Sequence, residues 1–100
     1  MTDKITKEVN DILGQRNHEG KTIFYLAVEH DSDEIYNYLI DTFPNLEVFT
    51  IDNIKGNSPL HQAVLNKNYE LVKKLFEMRP EKCLERNFNG ETPIFLATRN

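Results

Sequence analysis

The sequence predicts an all-α fold, a solenoid of repeated helical units, and two observations carry that reading. First, one block occurs three times: Gly20-Lys21-Thr22-Ile23-Phe24-Tyr25-Leu26-Ala27, Gly56-Asn57-Ser58-Pro59-Leu60-His61-Gln62-Ala63 and Gly90-Glu91-Thr92-Pro93-Ile94-Phe95-Leu96-Ala97. Its glycines stand 56 − 20 = 36 and 90 − 56 = 34 residues apart, and its alanines at 27, 63 and 97 keep the same intervals. Second, each block reads as a helix start. In the middle copy a turn glycine precedes Ser58, whose oxygen can accept an orphan backbone N–H, and Pro59, whose missing N–H is no loss at the first helical position. Self-similarity at this period is the mark of a stacked array.

The elements follow in order. Ile5, Val9, Ile12 and Leu13 fall at i, i+4, i+7 and i+8, one apolar stripe of a helix over 3–13 that Gly14 ends. Residues 1–16 are therefore expected to form a capping helix that covers the first repeat. The first repeat, 17–52, has an inner helix from Thr22 with Phe24, Tyr25, Ala27 and Val28. After a polar turn its outer helix carries Ile35, Tyr36, Leu39 and Ile40, and Pro44 stops it. Glu47 to Ile51 is the one short β-prone run, expected as an extended arm of a hairpin. The second repeat, 53–86, pairs Leu60, His61, Ala63 and Val64 with Leu71, Val72, Leu75 and Phe76; Glu70 precedes Lys74 by four as a surface pair, and Pro80 ends the helix. The third, 87–100, has no outer helix within the sequence, which suggests a piece of a longer array. Ile94, Leu96 and Ala97 should each then have an uncovered side, about 100–200 Å² in all and a few kcal/mol of wet apolar surface.

Bulk properties exclude several function classes. The formal net charge is −4 and the pI about 5.3, with charges interspersed, so nothing suits a nucleic-acid backbone. No 18-residue apolar run marks a membrane span, and Met1 to Gln15 lacks the apolar core of a secretory leader. Cys83 is the single cysteine. That fits a reducing compartment, and the chain is read as cytoplasmic or facing the cytosol.

The T-P-L-H-x-A type of core, fullest at Ser58-Pro59-Leu60-His61 and partial at Thr92-Pro93-Ile94, resembles the ankyrin repeat over residues 17–100. The resemblance implies a β-hairpin tip followed by two antiparallel helices in each unit, with the tips along one edge of a curved stack. It also shows departures. Ile23 and Tyr25 replace proline and histidine in the first repeat, Phe95 replaces histidine in the third, and Asp31 replaces the usual turn glycine. The histidine departures put the hydrogen-bond ladder between repeats in doubt. The loops T-F-P-N-L and R-P-E-K-C-L also resemble those of plant ankyrin proteins whose repeats precede a membrane-spanning region. The Asn-, Lys- and Ile-rich wording suits an AT-rich genome, including bacteria or viruses that export ankyrin proteins into hosts.

The resemblance implies binding rather than catalysis. The partner is expected to be a protein, held on hairpin tips and the exposed side of the inner helices. Carried over by position, the contact residues are His18, Glu19, Lys21, Glu29 and His30 in the first repeat. The second supplies Ile54, Lys55, Asn57, Leu65 and Asn66, and the third Phe88, Asn89 and Glu91. Ile54 and Phe88 are read at the same second position of their tips, either as anchors for a partner or as glue between neighbouring tips.

Other chemistry finds little support. His18, His30 and His61 have no Cys or His at ligand spacing, so no metal and no cofactor is expected. Ser58 and His61 lie one helical turn apart without a supporting carboxylate, and capping accounts for both: His61 is expected buried, bonded to Ser58 and a backbone carbonyl. Cys83 beside Lys82 and Arg86 is either a reactive thiol or a small packed residue. The expected function is a non-enzymatic protein-interaction scaffold. The alternatives are a cytosolic regulatory segment of a larger membrane protein or channel, and the binding part of a pathogen or viral effector.

Overall fold

The computed structural model describes residues 2–99, in which six α-helices form. They are α1 (Thr2–Leu13), α2 (Ile23–Glu29), α3 (Asp33–Thr42), α4 (Pro59–Leu65), α5 (Tyr69–Met78) and α6 (Pro93–Arg99), with a 3₁₀ turn over Pro80–Leu84. The inner helices α2, α4 and α6 stack in a row. Behind them α3 packs on α2 and α5 on α4, while α6 packs on α4 and the 3₁₀ turn. No strand forms among the described residues. The tips are turns, each closed at its base by a backbone hydrogen bond, with a second bond inside the first and third, so the expected β-hairpins are present as hairpin turns without ladders.

Side chains close the helix starts. Thr22 Oγ1 accepts from Tyr25 N–H at 3.1 Å, Thr92 Oγ1 from Phe95 N–H at 3.0 Å, and Asn68 Oδ1 from Leu71 N–H at 3.3 Å. At α4 the cap is reciprocal: Ser58 Oγ accepts from His61 N–H, and His61 Nδ1 accepts from Ser58 N–H at 3.1 Å. This is the capping box with histidine in the place of glutamate. The turns from inner to outer helix place Asp31 at φ 54° and Lys67 at φ 58°, left-handed backbone that glycine takes without strain.

One core runs through the stack, with Phe24, Val28, Leu39, Leu60, Ala63, Leu71 and Leu75 at its centre. Four expectations change. Glu47–Ile51 is no hairpin arm: Val48 and Phe49 turn into the core instead. Lys74 donates across the repeats to Asn37 Oδ1 at 2.8 Å rather than pairing with Glu70. Leu96 is buried, and only Ile94 and Ala97 of the predicted trio are exposed. The stripe of α1 lies on the first repeat only in part. Leu13 packs against the core and Val9 is half-buried, but Ile5 and Ile12 stay in solvent.

Candidate functional site

The tips set the geometry of the ridge. Asn17 Oδ1 accepts from the N–H groups of Glu19 and Lys21, both at 3.0 Å. Asn87 Oδ1 does the same for Asn89 and Glu91, at 3.0 and 2.9 Å. In the middle tip Asp52 Oδ1 gathers three, from Ile54, Lys55 and Gly56, at 2.8, 2.7 and 3.2 Å. The closing backbone bonds run Lys21 O to Asn17 N, Asn57 O to Asp52 N and Glu91 O to Asn87 N. Asn17, Asp52 and Asn87 are thus equivalent, 52 − 17 = 35 and 87 − 52 = 35 residues apart, and the middle tip holds one extra residue.

That register corrects the pairing of Ile54 with Phe88. The equivalents of Phe88 are His18 and Asn53, as the inter-tip bonds show: Asn53 N–H donates to Glu19 O and Phe88 N–H to Lys55 O, each at 2.8 Å. The Phe88 ring lies over Gly56 and the Asn53 side chain over Gly20, and a Cβ on either glycine would sit 2.4–2.5 Å from them. Phe88 is therefore inter-tip packing on one side and 63% exposed on the other. Ile54 comes with the extra residue of the middle tip and is 58% exposed. Asp52 opens the second tip rather than closing the first repeat.

Behind the ridge, the inner helices are clipped to the next tip. Tyr25 Oη donates to Asp52 Oδ2 at 2.8 Å, so the replacement of histidine by tyrosine keeps the link. His61 Nε2 donates to Glu91 O at 2.9 Å, while its Nδ1 faces Ser58. His61 is buried as expected. Burial pushes the imidazole pKa down, only partly offset by the Glu91 carbonyl, so the ring is neutral. Burial also pushes the Tyr25 phenol up, with the Asp52 bond adding to it. Asp52 resists its own burial: N–H donors from Lys55, Ile54 and Gly56 and the Tyr25 hydroxyl hold its pKa below the ordinary carboxylate value. The unusual groups here are structural and fully partnered; among the described residues no buried side-chain polar atom lacks a partner.

The predicted contact residues divide accordingly. Asn57 is buried, its Oδ1 accepting from Asn87 Nδ2 at 2.9 Å, and Asn66 is half-buried, donating to Val28 O at 2.8 Å. Both fasten neighbouring repeats, which corrects their expected exposure. Lys21 is half-buried between Glu29 at 2.8 Å and Glu19 at 3.4 Å, and Glu29 above all raises its pKa. Glu91 binds Asn87 Nδ2 and Arg99. Among the described residues the side chains of Ile54, Lys55, Leu65, His18 and the outer side of Phe88 are exposed without such ties, Asn89 is exposed beside Glu91, and His30 is exposed with its Nε2 4.0 Å from Glu29 Oε1. Leu65 stands between two hollows of the concave side. One is formed with Tyr25, Gln62 and Ile54, the other with Asn89, Leu96 and Arg99. Gln62 and Arg99 were missed in the sequence. Arg99 was available to a register argument, since it shares its helix position with Glu29 and Leu65. Cys83 is buried with its thiol on Pro80 O at 2.9 Å, the packed alternative.

Comparison with known proteins accords with this geometry. Residues 4–86 match the family model described as ankyrin repeats (3 copies). The I-Kappa-B like protein of Microplitis demolitor bracovirus is 30% identical over 94 residues, 93% of this chain and 52% of that one. The human transient receptor potential cation channel subfamily A member 1 is 30% identical over 100 residues, 97% of this chain but 8% of the channel. An ankyrin repeat-containing protein of Arabidopsis thaliana is 28% identical over 75 residues, 75% of this chain and 14% of its own. The chain thus spans about half of the first relative and small parts of the others.

Proposed function

Because this chain belongs to the ankyrin-repeat family, we propose that it is a non-enzymatic scaffold that binds a protein partner along the tip ridge and concave face. The single observation that carries the reading is the exposure of Ile54, Phe88 and Leu65 on an array whose buried side-chain polar atoms, among the described residues, are all partnered. Apolar side chains left in solvent beside a pre-organised, hydrogen-bonded frame supply binding energy at little ordering cost. Lys55 and Asn89 flank them and would set orientation and encounter rate more than affinity. The compartment that suits this work, and the single buried thiol, is the cytosol.

A second reading has its own observation. The chain covers 8% of the human channel it resembles, so a repeat segment within a larger channel protein is the alternative. No described helix is long and apolar enough to cross a membrane.

The test is affinity capture with the intact chain and with a triple variant, Ile54→Ser, Leu65→Ser, Phe88→Ser, followed by quantitation of retained proteins. A partner retained by the intact chain and lost from the variant, with the variant's circular dichroism spectrum still that of the folded helical array, is the expected result. Equal retention by both would overturn the ridge as the binding surface.

A further inference from the structure

The concave side of the stack carries a charge order that no single repeat shows. Glu29, Leu65 and Arg99 share one register, each the last residue of its inner helix. An acid, an apolar residue and a base thus end α2, α4 and α6. The residue after each tip glycine runs the other way, as Lys21, Asn57 and Glu91. Both charged helix ends pair with it inside their own repeat, Glu29 with Lys21 at 2.8 Å and Arg99 with Glu91. The same ion pair is therefore built twice with its polarity reversed.

Its outer pole differs accordingly. The Lys21 side chain is 12% exposed against 29% for Glu29, and that of Glu91 17% against 53% for Arg99. The first repeat turns a carboxylate outward and the third a guanidinium. Neighbouring charges add to this difference. Glu19 also pairs with Lys21, at 3.4 Å, so two carboxylates share one ammonium. Lys55 lines both hollows, and in the second it joins Arg99 against the single carboxylate of Glu91. Leu65 stands between the two poles, since it lines the hollow shared with Glu29 and the hollow shared with Arg99.

Resting on the reading of the concave face as the binding surface, we infer that its partner is a linear segment of another protein with an apolar residue between a basic and an acidic one. The apolar residue meets Leu65, the basic one Glu29, and the acidic one Arg99 with Lys55. Packed helices stand about 8–10 Å apart, which is about three residues of a chain in the polyproline II form. The three side chains therefore recur at i, i+3 and i+6. A β-strand repeats one face about every 7 Å and misses this spacing. Opposite charges at the two poles also reject a segment that carries one sign throughout.

The probe is a displayed library of random peptides about nine residues long, too short to be helical on their own. It is selected on the intact chain and on the double variant Lys21→Glu, Glu29→Lys, which keeps the ion pair but turns its outer pole over. Both proteins are first checked by circular dichroism to be folded. The intact chain should enrich basic, apolar and acidic residues at three-residue steps. On the variant the basic position should become acidic while the other two persist. Peptides from the first selection should bind the variant about tenfold more weakly. Enriched peptides without charge order, or with the basic position unchanged on the variant, would overturn the inference while leaving the concave face as a binding surface. No enrichment on either chain would overturn the linear segment as partner. Capture with the Ile54→Ser, Leu65→Ser, Phe88→Ser variant then decides separately whether the face binds a folded protein.

Discussion

The two junctions between neighbouring repeats do one job with different chemistry. At the first, Tyr25 reaches from α2 to the Asp52 carboxylate that organises the second tip. At the second, His61 reaches from α4 to the backbone carbonyl of Glu91 while also capping its own helix through Ser58. Tyrosine is longer and bonds a side chain that already serves three N–H groups. Histidine is shorter and bonds the tip backbone directly. The lesson is that the clip tolerates exchange of its residues as long as the donor arrives at an acceptor fixed in the tip. The acceptor is the less replaceable partner, and it is charged at only one of the two sites.

Breaking the acceptors should therefore give the largest effect. Asp52→Ala removes the partner of Tyr25 and of three backbone donors at once, and a loss of about 3 kcal/mol is expected in urea unfolding. His61→Phe leaves Ser58 N–H and Glu91 C=O buried without a side-chain partner and should cost about 2 kcal/mol by the same measurement. Tyr25→Phe, which leaves Asp52 its backbone donors, should cost about 1 kcal/mol.

Acid separates the two junctions. His61 has a folded pKa lowered from its ordinary 6.5, so the unfolded chain takes up the proton first. Its contribution is present above pH 6.5 and drains away as pH falls from there toward the folded value. Asp52 is likewise lowered, from 3.8, so its contribution persists above that value and is lost only in stronger acid. Urea midpoints taken through weak acid should fall for the intact chain and fall less steeply in His61→Gln. A parallel decline in the two proteins would refute the assignment. The smallest effect sits away from the clips: Lys67→Gly should stabilise by about 1 kcal/mol by relieving left-handed backbone. Asp31→Gly should gain less, because Asp31 also accepts from Asn66 at 3.3 Å.

Most of the helix order was legible because glycine spacing, Ser58-Pro59 and the apolar stripes all encode local geometry. The burial of His61 was legible for the same reason, its partner being three residues away. The tip register was not. Counting from the glycines pairs Ile54 with Phe88, whereas the carboxylate and amide oxygens of residues 17, 52 and 87 fix the turns, and an aspartate there does not announce three N–H bonds. Asn57 and Asn66 look like surface amides in sequence, yet their partners lie 30 and 38 residues away, beyond any local pattern. Likewise α1 shows its stripe plainly but not what faces it.

The extra residue of the middle tip has a consequence for how such a chain can change over time. It enlarges the ridge by one side chain, while the closing residues on either side keep their interval of 35. The stack beneath is undisturbed, because the added Ile54 N–H finds a ready acceptor in Asp52. A lengthened tip is thus a change in what the surface offers with almost none in what the fold requires. Recognition in this architecture can drift by insertion while the helices inherit their frame intact.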